Sequence, residues 1–211
     1  MPYLVLLGDS IFDNGAYTAG GPAVIQQLNE QLPAAWRATL GAIDGSTTQD
    51  VPEQVRSLPV DATHLLLSIG GNDALLRADI LDTPVTSSAA ALRMLHDVGQ
   101  EFAAAYRTTV DACLATGLPL VICTIYNGNF PDPDLGTRAA VALTVFNDAI
   151  LRTAIDRQLT VIELRCVCDS PEDYANPIEP SSIGGAKIAA AIVRAITGTA
   201  HGGRCAQLVG G

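Results

Sequence analysis

The sequence predicts an α/β fold built on a parallel sheet, and three observations carry that reading. Four apolar runs rich in β-branched residues, Tyr3 to Leu7, His64 to Ile69, Leu118 to Ile125 and Leu159 to Leu164, read as strands. Long segments with helical spacing separate them, which is the alternation of parallel strands with crossover helices. The chain of 211 residues, 48% hydrophobic, is also large enough to bury one sizeable core without a second domain. A further, less apolar strand is expected at Trp36 to Ala42, giving five. Helical patterns are clearest at Ser88 to Ala115, Thr137 to Arg157 and Ile183 to Ile196. Residues 1–197 read as a single domain, and the glycine-rich residues 198–211 as a flexible tail.

A formal net charge of −10 and the absence of any Lys/Arg run argue against a nucleic-acid or anionic-membrane partner, leaving a small-molecule ligand. The cysteines Cys113, Cys123, Cys166, Cys168 and Cys205 show no metal-type pairing, since Cys166-x-Cys168 is too short for a usual zinc hairpin, and they read as free thiols. Gly8-Asp9-Ser10 interrupts the first apolar run, so the N-terminus lacks the pattern of a signal peptide, and no segment reaches the length of a membrane span. A cytoplasmic protein is expected; oligomeric state is not legible.

Because parallel strands need right-handed crossovers, their carboxyl ends share one rim, where α/β folds bind ligands. Ser10 follows the first strand, Asp44-Gly45-Ser46-Thr47-Thr48 the second and Gly70-Gly71-Asn72-Asp73 the third. Each is an ordinary turn when taken alone. Together they place a hydroxyl beside donors suited to a developing oxyanion, the Gly45 N–H and the Asn72 amide, each typically worth about 3 kcal/mol.

In order and spacing, Gly8-Asp9-Ser10, Gly45 and Gly70-Gly71-Asn72-Asp73 resemble the first, second and third blocks of the SGNH hydrolase family, also called GDSL esterases and lipases. The resemblance implies a flavodoxin-like, three-layer α/β/α sandwich and cleavage of esters of lipids, sugars or other acyl carriers, without metal or organic cofactor. It implies Ser10 as nucleophile, with the Ser10 N–H, Gly45 N–H and Asn72 amide as the oxyanion hole. The family's fifth block, Asp-x-x-His, supplies the base and the aspartate that orients it. Here the matching stretch is Asn176-Pro177-Ile178-Glu179, so both positions differ.

Loss of the base typically costs on the order of 10⁴-fold in rate, so its replacement decides whether this chain is an enzyme. His64 opens its strand and is expected roughly 20 Å from the rim at about 3.3 Å per residue. His201 follows the last helix, and His96 lies within a long helical segment. Glu179 holds the position of the base, and apolar neighbours such as Pro177, Ile178 and Pro180 can lift a carboxyl from about 4.3 toward about 6 or 7. Its bland reading is an acid near a helix N-terminus that Ser181 or Ser182 caps.

Asn176 can hold Glu179 or a substrate group by hydrogen bonds. Asp13 can orient substrate or a water, Asp9 is expected to bond the turn backbone, and Asp73 is a turn or cap residue. Tyr126 and Phe130 can line an acyl or ring pocket, or pack as a lid. The expected function is a serine esterase with Ser10, Gly45, Asn72 and Glu179 at its centre. The alternative is a binding protein that keeps the pocket for an acyl, sugar or carboxylate group but lacks the proton relay. A nucleotide binder is disfavoured by the absence of a phosphate-cradling glycine loop after the first strand.

Overall fold

The computed structural model describes residues 1–198. Strands β1 (Tyr3–Gly8), β2 (Arg37–Leu40), β3 (His64–Ser68), β4 (Leu120–Cys123) and β5 (Thr160–Ile162) form one sheet in the order β2-β1-β3-β4-β5. Every pairing is parallel. The helices are α1 (Val24–Gln31), α2 (Val51–Arg56), α3 (Gly71–Leu75), α4 (Ser88–Leu114), α5 (Pro133–Arg157) and α6 (Ser182–Thr197).

All six residues of β1 are buried, as befits a central parallel strand covered on both faces. Successive side chains divide between two cores. Tyr3, Val5 and Leu7 join Leu65, Leu67 and Ile122 in packing against α2, α4 and α5. Leu4 and Leu6 join Leu66 and Ile162 in packing against α1 and α6. The result is the expected three-layer α/β/α sandwich, with the sheet in the middle.

Helix starts follow their capping chemistry. The Ser87 hydroxyl accepts the Ala90 N–H at the head of α4, the Asp132 side chain accepts the Asp134 N–H at α5, and Ser181 accepts the N–H groups of Ile183 and Gly184 at α6. β3, β4 and β5 are shorter than their apolar runs, whose carboxyl ends enter rim loops. Ile125, for instance, has left the ladder, and both its N–H and its carbonyl are held by the Asn147 side chain, at 2.8 Å each. The tail expected beyond residue 198, with His201 and Cys205, lies outside the described residues. Among the described residues no helix is long and apolar enough to cross a membrane.

Candidate active site

The end of β1 is shaped by a position that only glycine can fill. Gly8 has φ +128°, and a Cβ there would lie 1.7 Å from the Ser68 carbonyl oxygen, so the chain passes β3 at backbone contact. Gln54 of α2 clamps the same residue from the other side. Its Oε1 accepts the Gly8 N–H and its Nε2 donates to the Gly8 carbonyl, both at 2.8 Å, and Nε2 also reaches the Ser46 hydroxyl at 3.2 Å. Beyond Gly8, the Asp9 N–H donates to Ser68, while the Asp9 carbonyl accepts from Phe12 and Asp13 in a tight turn. Ser10 sits in that turn with 7% of its surface exposed.

The turns after β2 and β3 are tied to it and to each other. Asp13 accepts the Asp44 N–H at 3.0 Å, and the Asp73 carboxylate accepts the Thr48 N–H at 3.1 Å and the Thr48 hydroxyl at 2.6 Å. Between them Gly45 adopts φ +80°, a left-handed conformation that glycine takes without strain. Asn72, in the first turn of α3, donates one amide hydrogen to the Ser46 carbonyl at 2.8 Å. The second amide hydrogen remains for the site. Neither the Ser10 N–H nor the Gly45 N–H has an acceptor among the described residues.

Glu179 reaches the same rim from the loop that precedes α6. Asn176 accepts the N–H groups of Ile178 and Glu179 at 2.9 and 3.0 Å, and the Glu179 carbonyl accepts from Ala175. The Tyr126 hydroxyl donates to the Ile178 carbonyl at 2.6 Å. Asn14, fully buried, donates to the Pro180 carbonyl and accepts the Val24 N–H, which couples the loop after β1 to the Glu179 loop. Glu179 is 7% exposed, and its Oε2 is buried without a partner among the described residues.

The electrostatics follow from this burial. Loss of solvent raises the Glu179 carboxyl above its ordinary value, opposed by the nearby Ser10 hydroxyl and reinforced by the charge of Asp44. Asp9 is pushed up to about 8, chiefly by burial, with the Glu179 and Asp73 charges adding to the rise and the Ile11 N–H opposing it. At neutral pH Asp9 is therefore mostly a neutral acid. The arrangement offers a hydroxyl, a basic carboxylate and unpaired donors, the parts that acyl transfer requires.

The model of the GDSL-like lipase/acylhydrolase family matches residues 6–184, a span that includes the turns after β1, β2 and β3 and the Glu179 loop. The chain belongs to that family. Solved structures of similar fold include the extracellular lipase of Streptomyces rimosus, 16% identical, with a TM-score of 0.65 over 94% of this chain and 99% of the other. A lipase from a goat rumen metagenome is 19% identical, with a TM-score of 0.69 over 92% and 97%. The M. smegmatis aryl esterase is 12% identical, with a TM-score of 0.63 over 94% and 99%. No match is found among curated proteins.

In this GDSL-like chain neither described histidine lies at the rim. His64 starts β3, bonds Thr63 at 2.8 Å and packs on Trp36, while His96 is exposed on α4. No group of three or more His, Cys, Asp or Glu among the described residues is placed to hold a metal ion. A cavity of about 210 Å³ opens at Asp9, Ser10, Asn72 and Glu179 and continues between the segment 71–81 and α5. Tyr126 and Phe130 line it. Asp13 and Asp73 bond backbone groups of the neighbouring turn, and Asn176 bonds the backbone at Glu179 rather than its carboxylate.

Sequence reasoning gave no role to Gln54 or Asn14. The only local signal for Gln54 was a polar side chain on the buried face of a short helix.

Proposed function

We propose that this chain is a serine carboxylic-ester hydrolase in which Glu179 takes the place of the usual imidazole. Ser10 Oγ attacks the acyl carbon as its proton passes to Glu179. The carbonyl oxygen becomes an oxyanion, held by the N–H groups of Ser10 and Gly45 and the free amide hydrogen of Asn72. Collapse breaks the ester bond, Glu179 returns its proton to the leaving alkoxide, and an acyl-serine remains. A water then attacks with Glu179 again taking the proton, and the carboxylic acid leaves as Ser10 is regenerated.

The observation that carries this reading is the buried Glu179 carboxyl, which shares the mouth of one cavity with Ser10 and Asn72 and which burial raises above the ordinary carboxyl value. Family membership supports the reaction class. A second reading, a binding protein that no longer turns over esters, is favoured by the lack of an imidazole at the rim among the described residues.

Intact-mass analysis after exposure to a fluorophosphonate separates the two. A single adduct on the native chain, absent from Ser10→Ala and formed far more slowly by Glu179→Gln, supports the hydrolase. No adduct at Ser10 between acidic and alkaline pH refutes it.

A further inference from the structure

The cavity that opens at Ser10 is polar at that end and apolar beyond it. One wall is Ala74, Leu75 and Ile80, and the facing wall is Ala139, Ala142 and Phe146 of α5. Arg77, the cation of the lining, is paired with Glu101. A sugar or charged acyl group would lose its water here without compensating hydrogen bonds, whereas a hydrocarbon chain meets no such cost.

The cavity is preformed. Arg138 of α5 donates to the Leu81 carbonyl at 2.7 Å and to Asp82 at 2.6 Å, fixing the 78–82 segment against the helix that faces it. Its size limits what enters. A dry cavity of about 150 Å³ accepts benzene, roughly 25 Å³ per carbon, so about 210 Å³ corresponds to about eight carbons. Ala139 and Ala142, each 8% exposed, are the places where α5 leaves that room, since any larger side chain there would project into it.

We infer that this pocket holds the acyl chain of the substrate, that it selects an unbranched apolar chain of about eight carbons over acetyl and long-chain groups, and that Ala139 and Ala142 set the length. The inference rests on Ser10 as the acylated residue. Each methylene buried is worth about fourfold in kcat/KM until the pocket is full.

The test uses the full chain with p-nitrophenyl acetate, butyrate, hexanoate, octanoate and dodecanoate. Expected is a rise to a maximum near octanoate and a fall at dodecanoate. Ala142→Phe should lower the octanoate-to-acetate ratio by tenfold or more and move the maximum to a shorter chain, with Ala139→Leu as a second variant should the first fail to fold. A maximum at acetate, a flat profile, a continuing rise to dodecanoate or an unchanged ratio in a folded variant overturns the inference.

Calorimetric titration of Ser10→Ala with methyl octanoate reads the pocket without chemistry. Binding that is lost in Ser10→Ala/Ala142→Phe supports it, and no binding overturns it. Failure of the hydrolase reading shows separately, as absence of turnover of every ester together with absence of a fluorophosphonate adduct.

Discussion

The turns that carry Ser10, Gly45 and Asn72 and the loop that carries Glu179 meet at one rim but are fixed in different ways. In the first region, side chains of neighbouring elements clamp the backbone: Gln54 holds both polar groups of Gly8, Asp13 holds Asp44, Asp73 holds Thr48 and Asn72 holds Ser46. In the second, the loop backbone is pinned by Asn176, Tyr126 and Asn14, while the carboxylate it presents keeps one buried oxygen without a partner among the described residues. The first region is over-determined and supplies fixed dipoles. The second holds one costly group in place, and burial there raises its pKa.

The largest expected effect comes from breaking the second region at its chemical atom. Glu179→Gln keeps the shape but cannot take a proton, and kcat should fall on the order of 10³- to 10⁴-fold. The pH profile sharpens the assignment. The base must be ionised, so kcat/KM in the native chain should fall as pH drops through the Glu179 pKa, which burial sets above the ordinary carboxyl value. That acid limb should vanish in the residual activity of Glu179→Gln. A limb that survives the substitution assigns the base to another group.

The contrast also explains what the sequence could reveal. The sheet was legible because central parallel strands are buried on both faces and read as unbroken apolar runs, Leu65-Leu66-Leu67 being the plainest. The long helices α4 and α5 were legible from their spacing, but α1 and α2 were not. α1 is rich in Gln and Asn, and α2 spans six residues with a proline in its first turn, too short for a period to register. Of the site, Ser10, Gly45 and Asn72 stood out because each follows a strand. Gln54 did not, because its bond to Gly8 crosses 46 residues and depends on how α2 docks on the sheet.

A test of burial itself follows from Asp9. Its folded pKa of about 8 exceeds the ordinary value, so between the two the folded state binds the extra proton. Stability should therefore be full at low pH and decline as pH rises toward 8, by about 1.4 kcal/mol per pH unit at most. Asp9→Asn, which keeps an oxygen for the Ile11 N–H, should remove that part of the slope. Urea unfolding of both chains at pH 5 and pH 7.5 measures it, and parallel slopes would show that Asp9 ionises freely when folded.

Breaking the first region should cost stability before it costs chemistry. Gln54→Ala strands the Gly8 N–H in a buried setting, while the carbonyl keeps the Ile43 N–H at 3.1 Å, with a loss of about 1 to 3 kcal/mol in urea unfolding. Weakening the second region should do the reverse. Asn176 is exposed, and its oxygen accepts two backbone N–H groups that water can also satisfy, so Asn176→Ala should lose only about 1 kcal/mol of stability. The loop would no longer hold Glu179 in register with Ser10, and kcat should fall roughly tenfold, since small misplacements of a catalytic group are costly. Asn176→Asp retains the accepting oxygen and should recover most of kcat. Its added negative charge should move the acid limb to higher pH, which the alanine variant should not do. A purely structural Asn176 would change unfolding in both variants and leave kcat and the limb where they are in the native chain.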